Sequence, residues 1–273
     1  MTIQTAPAPA RSTFEPAGKY RRTFGHALHS EWIKLSTVRS TWWSIGIVAV
    51  LTIGIAVLVA QATDMPGFEP IQAVVSPIQF TMLLAGILGA ISVTGEYSSG
   101  MIRSTLAANP SRGSVLAAKA TVVALLMFIS SLVIFLAAAL AVTVIFGGRE
   151  TPFAWDDPAG STLPILAASI SMAVFALIGV AFGFLIRSGA GAIAATVGLL
   201  FVLPIVASIF TGIGEGWRWI TDAANHLPMS AAQSAILPQD DWGLGGFEAY
   251  ATLAAWVIAG MLAAWAALRA RDA

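Results

Sequence analysis

The sequence predicts an all-α integral membrane protein with six transmembrane helices and both termini in the cytoplasm. Three observations predict it. The 273 residues are 57% apolar and 10% charged, with a mean hydropathy of +0.82, whereas a soluble domain averages about 45–50% apolar and about 25% charged. The apolar residues fall into six runs, near 42–61, 73–95, 119–146, 162–186, 190–213 and 249–268, each matching the ~20 residues that cross a hydrocarbon core. The basic residues lie mostly on one side of those runs, and Lys and Arg concentrate in cytoplasmic loops.

The composition also excludes several function classes. Fourteen basic and fourteen acidic residues balance, so nothing electrostatic favours nucleic acid as a partner. Cysteine is absent, which removes disulfides, thiolate catalysis and Cys-ligated zinc. No stretch between the runs reaches the ~50 residues of a separate soluble domain.

Residues 1–23 are rich in Ala, Pro and Thr without periodicity and are expected to form a disordered cytoplasmic tail. The first apolar run begins at Trp42, too late for a signal peptide confined to the first 15–30 residues or so, so the first span is expected to be retained. Residues 24–41 place Phe24, Leu28, Trp32 and Leu35 at spacings of four, four and three, with Lys34 and Arg39 offset. That stripe predicts an amphipathic helix lying flat in the inner interface, either as an anchor for the first span or as a docking surface.

Spans near 42–61 and 73–95 follow, and then TGEYSSGMIRSTLAANPSRGSVLAAK over 94–119. Ile102 and Leu106, four apart with Met101 and Thr105 beside them, make a short apolar helical patch, which Asn109-Pro110-Ser111 ends because Pro disfavours helix in its predecessor. A loop that only reversed the chain could be shorter, as Arg187–Gly191 is between the fourth and fifth spans. The longer, partly apolar segment is therefore expected to bind a partner. Gly179 and Gly183 form a GxxxG in the fourth span, read as close helix approach within the chain. Pro204 is read as a kink in the fifth. The stretch 214–248 is read as short interfacial helices on the outer leaflet, gating or passive, and residues 269–273 as a cytoplasmic tail.

Twelve of the fourteen basic residues fall on the inner side: Arg11, Lys19, Arg21, Arg22, Lys34, Arg39, Arg103, Arg112, Lys119, Arg187, Arg269 and Arg271. Only Arg149 and Arg218 fall outside, among Asp64, Glu69, Glu150, Asp156, Asp157, Glu215, Asp222, Asp240, Asp241 and Glu248. Trp42 and Trp43 inside, and Trp155, Trp217, Trp219 and Trp242 outside, read as interfacial anchors. All charges lie in tails, loops or span ends, which weighs against a proton-driven carrier. Enzyme readings fail for want of residues. His26 and His29 make an HxxH with only Glu31 nearby and read as ordinary polar-face residues; no HExxH occurs, Ser188 and His226 lack a supporting signature, and no GxxxxGK[ST] loop is present to bind ATP. No catalytic or metal site is expected.

With EWIKLSTVRSTWW before the first span, the 94–119 segment between the second and third, and RARDA at the end, the chain resembles the type-2 export class of ABC transporter permeases, especially actinobacterial members. The resemblance covers nearly the whole length, and the inner-loop segment is its most specific part. It implies a six-helix subunit that pairs with a second copy or a similar permease and with two separate ATP-binding subunits, which carry the ATP and Mg; this chain would hold no cofactor. The helix before the first span would be a connecting helix, with Phe24, Leu28, Trp32, Lys34, Leu35 and Arg39. The segment after the second span would be a coupling helix seated on the ATPase. Glu96, Gly100, Arg103, Leu106, Pro110, Arg112 and Lys119 match its pattern, with Met101 and Ile102 beside them, and Trp217–Ile236 matches the external hairpin. Ser98-Ser99 departs from the aromatic or basic residue often found there. Ile102 and Leu106 are expected to fill a hydrophobic cleft on the partner while Glu96 and Arg103 pair at its rim. The competing readings are a secondary carrier, which needs no ATPase, and a membrane scaffold or immunity protein, which moves nothing.

Overall fold

The computed structural model describes residues 23–63, 65, 67–149, 151–211, 218–238 and 243–270, and every regular element among them is helical. The N-terminal tail, the acids Asp64, Glu150, Glu215, Asp240 and Asp241, the anchors Trp217 and Trp242, and Arg271 lie outside the described residues.

Helix α1 spans Phe24–Thr37, and the Thr23 hydroxyl accepts from the His26 backbone N–H at its start. It ends earlier than the stripe predicts. The Thr37 hydroxyl donates to the Ile33 carbonyl at 2.7 Å, Val38 is extended at φ −83°, and α2 begins at once as Arg39–Ala62. The Trp42 indole N–H donates to the Ser36 carbonyl at 2.8 Å and bridges the bend. The apolar stripe of α1 also divides. Leu28 and Leu35 pack on the core, while Phe24 and Trp32 remain exposed.

The second span comprises α3 (Pro70–Val75) and α4 (Ile78–Ser98), interrupted at Ser76-Pro77 because Pro77 has no backbone N–H to continue the ladder. Ser99 and Gly100 turn the chain into α5 (Met101–Ala108). Gly100 sits at φ +70°, a left-handed conformation open to glycine at little cost. Asn109 is extended before Pro110, and its side-chain oxygen accepts from the Ser111 N–H at 3.2 Å. Helix α6 then runs Arg112–Phe146 for 35 residues. At 1.5 Å per residue it measures ~52 Å, longer than a ~30 Å hydrocarbon core requires.

Helix α7 (Thr162–Ile186) ends on Arg187, and α8 (Gly189–Val197) follows through the tight link. Gly198–Val202 is a π-helical turn, with the Leu203 N–H reaching the Gly198 carbonyl, and α9 is Leu203–Thr211. Pro204 cannot donate to the carbonyl four residues back, which frees that part of the ladder for the wider turn. The π turn ends two residues before Pro204, the position at which a kink is expected. Two short helices, α10 (Arg218–Asn225) and α11 (Pro228–Ile236), precede α12 (Gly246–Ala270). Among the described residues six helices are long and apolar enough to cross a membrane.

The core centres on α4 and α7, whose spans are 61% and 67% buried, whereas the spans of α2, α8–α9 and α12 leave most of their apolar surface outward. Glycine explains the close approach. A Cβ on Gly89 would lie 2.0 Å from the Ala176 carbonyl oxygen, and one on Gly179 would lie 1.9 Å from that of Gly86. The GxxxG of α7 therefore serves contact inside the chain, with no room for any side chain. Gly179→Val should force the two helices apart and cost at least ~1–3 kcal/mol; thermal unfolding in detergent measures this, and an unchanged midpoint would contradict the close approach.

Candidate functional site

At the end of the bundle that holds α5, four charged side chains meet. Glu31 projects inward from α1 between Leu28 and Leu35, the positions one turn before and after it, and Lys34 follows three residues on. Glu96 lies near the end of α4, and Lys119 two turns into α6. The Lys119 ammonium donates to Glu31 Oε2 at 2.6 Å, Glu96 Oε1 at 2.7 Å and the Ser92 carbonyl at 3.3 Å. The Lys34 ammonium donates to Glu31 Oε1 at 2.7 Å, Glu96 Oε1 at 3.0 Å and the Thr105 hydroxyl at 3.1 Å. Each ammonium has three protons to give, and each gives them to three acceptors. Two carboxylates and two ammoniums leave the cluster neutral, and it ties α1, α4, α5 and α6 together.

Burial sets the energetics. The side chains of Lys119, Glu31 and Glu96 are 1%, 3% and 4% exposed, and that of Lys34 is 21%. Charges so far from water are costly to bury, and the alternating arrangement with full hydrogen bonding offsets that cost. Glu96 Oε2 is the exception, buried without a partner. Lys34 is the member nearest water. Burial opposes its charge, but the hydrogen bond and charge of Glu31, with those of Glu96, outweigh burial and hold its pKa above the ordinary 10.5. Its stabilising contribution is therefore complete below 10.5 and lost only as pH climbs through the raised folded value. The part of the unfolding midpoint that depends on Lys34 should stay flat from neutrality to about pH 9.5; Lys34→Met compared with the parent over that range measures it, and a gap between the two that closes before pH 9.5 or so would contradict it.

The residues expected to face a partner do not all do so. Ile102 is 2% exposed and turned into the chain, because an eight-residue helix lying against α4 and α6 uses its apolar side to close this chain's own core. Glu96 faces the two lysines, so the expected rim pair with Arg103 is replaced by the four-charge cluster. Leu106 is half-buried, while Gly100, Met101, Arg103 and Pro110 remain exposed. Arg112 points elsewhere, donating to the carbonyls of Leu268 and, at 3.4 Å, Arg269. Arg187, over the Tyr97 ring at 5.2 Å, adds a bond to the Ala267 carbonyl at 3.3 Å. Two guanidiniums thus bind the last carbonyls of α12, where cations are favoured. Arg39 is exposed at the start of α2. His26 Nδ1 lies 3.0 Å from the Thr23 hydroxyl, and no group of three His, Asp or Glu side chains converges among the described residues.

A family model described as ABC-2 family transporter protein matches residues 27–206, about two-thirds of the chain and all four members of the cluster. The chain belongs to the ABC-2 transporter family. A comparison with curated proteins finds no match. As an ABC-2 transporter it is a transmembrane permease, a component that is generally non-catalytic in this family, and its multi-pass architecture agrees with its six apolar helices.

The sequence puts Lys119 at the end of the 94–119 stretch, where nothing local joins it to Glu31. A signal was present. Lys119 follows Val115 by four and precedes Val122 by three, so it stands on the buried stripe of α6, as Glu31 does on α1. A charge on an inward stripe requires a partner of opposite charge.

Proposed function

We propose that this ABC-2 permease is the membrane subunit of an ATP-driven exporter, with α5 as the coupling helix and α1 as the connecting helix, both on the cytoplasmic side. The inner-side excess of Lys and Arg supports that orientation, and the family supports an ATP-binding partner. The permease works as a dimer with itself or a similar subunit. ATP and Mg are held by the partner, which docks on the outward side of α5, around Met101, Arg103, Ser104 and Ala107, and not on Ile102.

One observation carries this reading: Lys34 bonds at once to α1, α4 and α5. A displacement of α5 by a closing partner pulls on the Lys34–Thr105 bond, and the cluster passes the motion to α1, α4 and α6 as one body. Packed helix interfaces switch between discrete arrangements instead of deforming gradually. Co-expression with a candidate ATP-binding protein that carries a Walker motif should give a stable complex with vanadate-sensitive ATPase activity. A chain that purifies without any ATP-binding protein and transports on an ion gradient would select the secondary carrier.

A further inference from the structure

At the end of the bundle opposite the charged cluster lies a cavity of about 480 Å³ between the junction of α3 with α4 and the pair α10–α11. Its polar lining includes Gln72, Gln79, Thr221, Asn225, Ser230 and Gln233, and no charged side chain lines it among the described residues. None of these six side chains bonds to another described group of the chain, in contrast to Ser76 and Ser234 beside them, which bond to the Ala73 carbonyl and the Leu244 N–H. The floor is apolar, with Val75 and Ile78 from one side and Ile236 from the other. Trp219 and Phe247, both strongly exposed, stand at the same end, on α10 and at the start of α12, and aromatic side chains favour the headgroup level of a bilayer.

We infer that this cavity binds a neutral, hydroxyl-rich group, the headgroup of a glycosylated amphiphile. Carboxamides offer a donor and an acceptor on one plane, as hydroxyl ligands require, and the three glutamines and one asparagine converge from α3, α4, α10 and α11. An ionic headgroup entering here would meet no counter-charge among the described side chains that line it, which disfavours it. The apolar floor suits the carbon face of a sugar ring or the first carbons of a chain. Nothing in the ATP-coupling reading requires this site, and its test uses neither nucleotide nor a second polypeptide.

The full chain is placed in phosphatidylcholine nanodiscs containing equal small fractions of glucosyl diacylglycerol, phosphatidylglycerol and the cationic lipid ethylphosphatidylcholine, and the lipids retained on release are weighed by native mass spectrometry. Glucosyl diacylglycerol should be retained over both charged lipids. The variant Gln72→Met/Gln79→Met/Gln233→Met, which keeps side-chain volume and removes the amides, should lose that preference by about tenfold or more, the loss expected for two or three hydrogen bonds. If the triple variant fails to fold, Gln233→Met alone, an exposed position, should lower it by about threefold. Free maltose that displaces the glycolipid assigns the site to the sugar alone; failure of maltose to compete assigns it to the lipid-linked form. Equal retention of all three lipids, a preference for either charged lipid, or an unchanged preference in the variants would overturn the inference.

Discussion

Lys119→Met should lower the stability of the folded chain by about 3–5 kcal/mol, the usual cost of removing one partner from a buried ionic group. Lys119 is buried on the α6 stripe, and its loss leaves Glu31 and Glu96 facing the single ammonium of Lys34. The excess negative charge has no access to water, so the variant must admit water, take up a proton or separate α1 from α6. Neutrality predicts the rescue. Adding Glu31→Gln to Lys119→Met removes one charge of each sign and should recover a large share of the lost stability. Thermal unfolding in detergent of the parent, both single variants and the double variant completes the cycle. A Lys119→Met midpoint equal to the parent's, or a double variant no better than Lys119→Met alone, would show that the four charges do not act as a unit.

Ala107→Trp should leave the fold intact and lower partner-stimulated ATPase activity by about tenfold or more, because a bulky side chain in the middle of a docking surface prevents close seating. Ala107 is exposed on α5, one turn beyond the exposed Arg103. Ile102→Glu provides the contrast. Ile102 is buried in this chain, so a carboxylate there should abolish folded protein instead of only uncoupling it. Yield and unfolding midpoint separate the two effects, with ATPase activity as the second axis. An Ala107→Trp complex with full stimulation would move the docking surface off this side of α5, and an Ile102→Glu variant with a normal midpoint would contradict the inward placement of Ile102.

The spans were legible because each is a long uninterrupted apolar run, a one-dimensional signal. The turn into α5 was legible for a similar reason: Gly100 before Met101 and Asn109-Pro110 after Ala108 mark both ends locally. The direction in which α5 faces was not. A short helix with Ile102 and Leu106 on one side looks the same whether that side meets its own core or another protein's, and only the positions of α4 and α6 decide. The cluster was hidden by distance along the chain, since Lys119 meets Glu31 across 88 positions and Glu96 across 23. Read singly, Glu96 and Lys119 are ordinary span-end residues, and Glu31 and Lys34 ordinary polar residues of an interfacial helix; only the inward stripes mark Glu31 and Lys119. The break at Val38 and the π turn at Gly198–Val202 likewise depend on backbone bonding that residue type alone does not reveal.

On the proposed function, this permease takes its power from an ATP-binding subunit through α5. Because the chain has no cysteine, a single Arg103→Cys substitution places one thiol on the exposed side of that helix, where a benzophenone maleimide can be attached in membranes that also contain the candidate ATP-binding protein. Illumination should join this chain to a polypeptide carrying the Walker motif, identified by mass, while the same label at the exposed residue Val144, near the opposite end of α6, should not. A cross-link from Val144 and none from Arg103, in a complex that still hydrolyses ATP with vanadate sensitivity, would contradict the account.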